Sequence, residues 1–401
     1  MSAAPDTASQ APEATAAPQG DQAKDEVDKG PKRITDDDLY RHSTQYRMWS
    51  FTKEHLRDKR MQTNRRVADA IKQKLEEFFN SQGDQVTPEE LQMLRSKAVP
   101  LTEDEELKLV NFYAKKVQVI AQHLNLPTEV VGTSITFFRR FYLEKSVMEY
   151  DPKSLVHTTI FLACKSENYF ISVDSFAKKA KSTRDVILKY EFQLLEALRF
   201  SLFVHHPYRP LHGFFLDIQT VLYGKVDLKY MGQVYDRCRR RITDALLTDV
   251  VFLFTPPQIT LAVLLIEDEQ LILKYLEIKF GSMEDGEVGE GNQEGDSTNQ
   301  GYDSEQGVVD SVSKGETEQT RKAKSSSDAK SPIHLEKLIE VIKECKDMIE
   351  SYEAVDTVEA KSVAAKNYYC QHPEILVMKL TAKRQQETES PPAKRVKTEE
   401  N

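Results

Sequence analysis

Wherever apolar residues are dense in this chain, they recur at intervals of three and four, the spacing of helices with one buried face. Thr35-Asp36-Asp37-Asp38 is an acidic cluster suited to the start of a first helix. After Phe51 a long charged helix is predicted, with Val67, Ile71, Leu75 and Phe78 as a narrow apolar stripe that should lie on a neighbouring domain. From Leu101 to Leu202 the pattern resolves into five helices. Thr102 and Glu105 form a capping-box pair ahead of Leu107, Val110, Ala114, Val117, Ala121 and Leu124. A second helix from Thr128 carries Val131, Ile135, Phe138 and Tyr142. Asp151-Pro152 opens a third that is apolar nearly all round from Leu155 to Ala163, which marks a helix covered on every side. A short fourth runs from Val173 to Ala180. Ser182 is expected to cap a fifth, with Ile187, Tyr190, Leu194 and Leu198 on one face.

The next segment repeats this plan. Helices are predicted over Pro207–Leu222, Leu228–Asp249, Pro256–Asp268 and Glu269–Phe280, and Ile259 to Ile266 is again apolar all round. From Gly281 to Lys330 the chain turns to Gly, Ser, Glu, Gln and Asp, the composition of a disordered insertion. Ser331-Pro332 restarts a helix whose stripe is Leu335, Leu338, Ile342, Cys345 and Ile349. The fold class is therefore all-α, two tandem five-helix bundles with flanking N- and C-terminal helices. The expected division is a disordered tail at 1–33 and a helical extension at 34–100, then a first bundle at 101–204 and a second at 205–280 and 331–352. The 281–330 insertion interrupts the second bundle, and a C-terminal helix at 353–390 and a basic tail at 391–401 follow it.

Composition narrows the function. The 401 residues carry a formal net charge of −9, a poor match to sequence-independent nucleic-acid binding, which needs many phosphate-neutralising cations. Protein partners suit the chain better. Cys164, Cys238, Cys345 and Cys370 are far apart and form no C-x-x-C, against a zinc site or a disulfide framework and in keeping with a reducing compartment. The N-terminal residues hold no apolar core of a secretory signal, and the longest apolar runs are too short to cross a bilayer. Phosphate-cradling loops, kinase signatures, nucleophile elbows and metalloprotease motifs are all missing, so no catalytic residue, metal or cofactor is expected.

Several groups stand out without defining chemistry. His205-His206 precedes Pro207 at the junction of the bundles, where a linker role is expected. Arg237, Arg239, Arg240 and Arg241 read as a solvated face, with contact to an acidic or phosphorylated partner as the sharper alternative. Trp49 is expected to pack on the first bundle, together with Tyr46, leaving the exposed face of their helix open to a partner. Lys394-Arg395-Val396-Lys397, after two prolines, has the form of a nuclear import signal.

One set of motifs is more specific. Val130-Val131-Gly132-Thr133, Phe138-Arg139-Arg140-Phe141-Tyr142-Leu143, Ser146-Val147-Met148-Glu149-Tyr150 and Phe161-Leu162-Ala163-Cys164-Lys165 together resemble the cyclin box of the cyclin-H family. His206-Pro207-Tyr208-Arg209-Pro210, Leu247-Thr248-Asp249 and the N-terminal set Ser43, Gln45, Arg47, Trp49 and Phe51 continue the likeness. The resemblance implies two cyclin folds and a non-catalytic subunit that activates a cyclin-dependent kinase by holding its αC helix inward. It points to the CDK-activating kinase, which is also the kinase module of TFIIH. It implies as partners the kinase catalytic subunit, a RING-type assembly subunit and the TFIIH core, with no membrane or direct nucleic-acid contact, in the nucleus. It assigns kinase binding to Lys165 and Glu191 as a polar clamp and to Leu195, Phe200 and Leu202 as apolar contacts. The family's substrate-docking pattern is replaced by Leu107-Lys108-Leu109-Val110-Asn111, which speaks against that docking. Ser166 stands where many cyclins place a bulky apolar residue. The alternatives are a cyclin for an elongation or Mediator kinase, and a TFIIB-like DNA-bound factor, which would call for a zinc ribbon and a basic surface.

Overall fold

The computed structural model describes residues 36–82, 86–280 and 335–389. Every regular element among them is an α-helix. The expectations for 1–33, for the 281–330 insertion, for Ser331-Pro332 and for the 391–401 tail lie outside the described residues. Helix α1 (Asp36–His42) belongs to a separate unit that ends at Ser43, and the chain from Thr44 onward forms the second unit.

That second unit opens with α2 (Thr44–Trp49) and the 29-residue α3 (Lys53–Ser81), capped by the Thr52 side chain. α3 uses its apolar positions on two different neighbours. Val67 and Ala68 join the main core, whereas Leu75 and Phe79 pack with Val86, Leu94, Leu376 and Val377 in a satellite cluster. Phe79, rather than Phe78, is the buried member of the aromatic pair. The stretch before residue 101 also contains a separate helix, α4 (Pro88–Lys97), whose start is set by a Thr87–Glu90 capping box.

Five segments then make the first bundle: α5 (Glu103–His123), α6 (Thr128–Glu144), α7 (Pro152–Ser166), α8 (Val173–Ala180) and a broken fifth. The Thr102–Glu105 capping box is formed. The fifth segment is split into α9 (Arg184–Leu188) and α10 (Glu191–Ala197), and Thr183 rather than Ser182 supplies its cap. The split falls at Tyr190, whose backbone (φ −113°, ψ 16°) leaves the helical region and has no side-chain cap.

The second bundle comprises α11 (Tyr208–Val221), α12 (Leu228–Ala245), the single turn α13 (Val250–Leu253), α14 (Pro256–Glu267), α15 (Glu269–Phe280) and α16 (Leu335–Glu350). The two helices with apolar residues all round are the central ones. α7 touches α5, α6, α8, α9 and α10, and α14 touches α11, α12, α13, α15 and α16. Burying such a helix on all sides removes most of its apolar surface from water, at about 25 cal/mol per Å².

The C-terminal stretch is two helices, α17 (Thr357–Gln371) and α18 (Pro373–Glu389), not one. Pro373 accounts for the break: it offers no N–H and drives His372 (φ −131°, ψ 63°) out of the helical region. α17 packs on α5 and α3, and α18 closes the satellite cluster through Leu376 and Val377.

Candidate functional site

Lys165 lies in the last turn of α7, where the buried helix emerges at the surface. Its ammonium sits 4.6 Å from the centroid of the buried Phe161 ring, so the stem covers apolar surface while the charge reaches the rim. Glu191 is the first residue of α10, immediately after the break in the fifth segment. Lys165 Nζ donates to Glu191 Oε1 at 2.5 Å. The Lys165 side chain is 48% exposed and that of Glu191 22%. An ion pair so open to water contributes at most about 1 kcal/mol to folding. Its charges are held in place yet still offered to solvent.

The apolar residues assigned beside this pair differ in exposure. Leu195 and Leu202 are half-buried and packed against the core. Phe200 is 64% exposed and, like Arg199, has positive φ (53° and 52°), a left-handed backbone that turns the chain out of α10. Ser166 fills no apolar role. Its hydroxyl donates to the Leu202 carbonyl oxygen at 2.9 Å and ties the end of α7 to the segment after α10. Three further exposed aromatics lie in the same stretch of chain: Phe170, Phe192 and Phe203, the first 94% exposed. Helical periodicity treats such positions as the wet side of a helix and passes over them. An aromatic there, beside Glu191 in the case of Phe192, was the available signal.

A second group organises the junction of the two bundles. Gln45 of α2 is buried; its Nε2 donates to the His205 carbonyl at 3.1 Å, and its Oε1 accepts from the His205 N–H at 2.9 Å and from Arg140 Nη2 at 3.1 Å. Trp49 is fully buried among Leu56, Leu143 and Phe252, with the Arg140 guanidinium 5.1 Å from its ring centroid. Trp49 therefore packs on both bundles, since Leu143 belongs to the first and Phe252 to the second, while Tyr46 is partly exposed. His206 is a buried side chain, not a plain linker residue. Its Nε2 lies 2.7 Å from Thr133 Oγ1, and burial, with the charges of Arg140 and Arg209, pushes its pKa down to about 3.

Of the arginine run, Arg237 and Arg241 bind the two oxygens of Glu267 at 2.8 and 2.6 Å, and Arg239 bonds to Thr128 Oγ1. Arg240 is exposed. Lys394, Arg395, Val396 and Lys397 lie outside the described residues. No group of three or more His, Cys, Asp or Glu able to hold a metal occurs among the described residues. All four cysteines are buried free thiols, and burial pushes them up, to about 11 for Cys164 and Cys370 and about 12 for Cys238 and Cys345. Such thiols are neither ready ligands nor nucleophiles. Among the described residues no helix is long and apolar enough to cross a membrane.

Comparison with known proteins agrees with this architecture. The model of the cyclin N-terminal domain matches residues 84–203, and that of the cyclin C-terminal domain matches 206–350. Cyclin CCL1 of Saccharomyces cerevisiae is 58% identical over 361 residues, which cover 90% of this chain and 88% of the relative. Cyclin mcs2 of Schizosaccharomyces pombe is 37% identical over 243 residues, 60% of this chain and 73% of the relative. Among solved structures, the chain is similar to one in the cryo-EM structure of the yeast TFIIK (Kin28/Ccl1/Tfb3) complex. There the TM-score is 0.54 at 55% identity, covering 77% of this chain and 100% of that one. The chain thus belongs to the cyclin family, and it is a regulatory subunit rather than an enzyme.

Proposed function

We propose that this cyclin binds and activates the cyclin-dependent kinase of a TFIIH-type kinase module, gripping it through Lys165 and Glu191. The observation that carries the reading is the 58% identity to CCL1 across most of both chains, joined to the likeness to a chain in a complex with Kin28 and Tfb3. The exposed, paired Lys165 and Glu191 support it from the side of chemistry. Two oppositely charged groups from adjacent helices offer charge-assisted bonds to backbone and side chains of a docking helix, and Leu195, Phe200 and Leu202 supply apolar area beside them. Seating the kinase αC helix inward aligns its Lys–Glu ion pair, the step that a cyclin contributes to phosphoryl transfer.

On this reading the partners are the kinase catalytic subunit, an assembly subunit of the RING type and the TFIIH core. The −9 net charge favours these over direct contact with nucleic acid. The place of action is the nucleus, and Lys394-Arg395-Val396-Lys397 is the import signal.

The test is affinity purification of the full chain, identification of the co-purifying kinase, and its activity with the Lys165→Ala/Glu191→Ala double variant. A cyclin-dependent kinase should co-purify with the parent, and the double variant should lose both binding and activation. Recovery of no such kinase would sink the function, and undiminished binding by the double variant would sink the site.

A further inference from the structure

The end of α7 that carries Lys165 is tied to buried residues of α6 and to the linker between the bundles. Thr133, in the second turn of α6, is fully buried. Its Oγ1 lies 2.5 Å from Oε1 of Glu167, the C-cap residue of α7, and 2.7 Å from Nε2 of His206 in the linker. A threonine hydroxyl has one hydrogen, and an ionised carboxylate can only accept. Thr133 therefore donates to Glu167, and the Nε2–H of His206 donates to Thr133. A neutral imidazole with its hydrogen on Nε2 meets this requirement, and burial keeps His206 neutral. Glycine at position 132 makes the approach possible, because a Cβ there would stand 2.9 Å from His206 Cε1.

A parallel tie runs one residue earlier, from the Ser166 hydroxyl to the Leu202 carbonyl. Between them, Ser166 and Glu167 anchor the two positions that follow Lys165. The backbone is then closed by Asn168 in the left-handed region (φ 56°) and by the Tyr169 N–H on the Cys164 carbonyl at 2.9 Å. The helix end is thus defined by bonds to α6 and to the linker as well as by its own ladder.

We propose that the His206–Thr133–Glu167 relay is a positioning device for the kinase grip: the seat of the linker sets the end of α7 and with it the direction of Lys165. The inference rests on the reading that Lys165 contacts the kinase. Thr133 cannot touch any partner itself, so an effect of Thr133 on kinase binding has to pass through the fold.

The experiment uses the full chain and the cyclin-dependent kinase that co-purifies with it, and measures kinase affinity and maximal activity. Thr133→Val keeps the shape and removes the hydroxyl. Of the two hydrogen bonds it removes, the one to Glu167 holds the end of α7, and losing a net bond of that size should weaken kinase binding about five-fold. Thr133→Ser should restore it. In a Lys165→Ala background Thr133→Val should cost nothing further, because residues that act through one another are not additive. Parent-like affinity for Thr133→Val, failure of Thr133→Ser to restore it, or an undiminished five-fold cost in the Lys165→Ala background would each overturn the relay. Should Thr133→Val not fold, Glu167→Ala, at a half-exposed site, takes its place with the same expectation. Lys165→Ala alone separates the two ideas. If it costs no affinity, the grip reading fails; if it costs affinity while Thr133→Val does not, only the relay fails.

Discussion

Arg139 of α6 and Asp249, at the start of α13, sit 110 residues apart in sequence and meet across the two bundles, with Nη2 2.6 Å from Oδ1. Arg60 of α3 closes on the same carboxylate with a two-pronged contact, 2.7 Å to each oxygen. Arg139 also donates to Asn111 Oδ1 at 2.8 Å and to the Leu247 carbonyl. Burial alone would raise the Asp249 carboxyl, but the Arg60 bonds and the Arg139 and Arg60 charges outweigh it and leave the group below its ordinary value. One carboxylate thus joins the N-terminal extension, the first bundle and the second. Asp249→Ala would leave the Arg139 guanidinium, 2% exposed, without its counter-charge. The expected cost is about 2–3 kcal/mol, since the change strands a buried guanidinium while Asp249 itself is 26% exposed. Urea unfolding of the free cyclin measures it, and a loss of under about 1 kcal/mol would show that the contact behaves as a surface pair.

Gly132 makes a sharper steric claim. An added Cβ would lie 2.9 Å from His206 Cε1 and 3.1 Å from Leu246 Cδ1, both buried side chains. Neither is the free end of a flexible surface chain, so the junction has to shift. Gly132→Ala should destabilise by about 1–3 kcal/mol, the usual cost of overpacking, although alanine is the better helix former. A thermal melt that rises instead would show that helix propensity outweighs the clash.

Much of this architecture was legible before the structure, for reasons specific to each element. α7 and α14 could be placed because apolar residues surround them, and α5 because Thr102 and Glu105 sit three apart. The break of the fifth segment at Tyr190 leaves no mark, since Tyr is neither a helix breaker nor a cap. The break at Pro373 carries a local signal, a proline with no N–H, although helical spacing continues on both sides of it. The Lys165–Glu191 pair came from the family resemblance, because periodicity places the two residues on separate helices and says nothing of their distance. The Arg60–Asp249–Arg139 cluster is invisible to local pattern, since its members are brought together by tertiary packing.

Phe200 separates stability from binding. Its positive φ of 53° is a conformation that costs a non-glycine residue about 1–2 kcal/mol, and its ring is 64% exposed, so little burial compensates. Phe200→Gly should leave the free cyclin as stable as the parent or up to about 1 kcal/mol more stable. The same change should weaken kinase binding, because it deletes the most exposed of the three apolar contacts assigned beside Lys165. Calorimetric melting of the free chain and titration with the kinase read the two effects separately. A drop in both would mean that the ring supports the fold.

His206 predicts a pH dependence with a definite sign. Its folded pKa is pushed down to about 3, by burial first and then by Arg140, Arg209 and His205, from an ordinary value of 6.5. Below pH 6.5 the unfolded chain therefore takes up a proton that the folded chain refuses. The stability tied to neutral His206 is fully present above pH 6.5 and is lost as the pH falls from there towards 3, by up to about 1.4 kcal/mol per pH unit for one proton. His157 and His205 are also lowered by burial and contribute slopes of their own, so the comparison has to be with a variant. His206→Gln removes the titrating group at this one position. Urea unfolding at steps between pH 7 and pH 4.5 should give a shallower decline for the variant than for the parent. Parallel declines would mean that His206 is protonated in the folded state; its Nε2–H would still donate to Thr133, but burial would not be keeping the ring neutral.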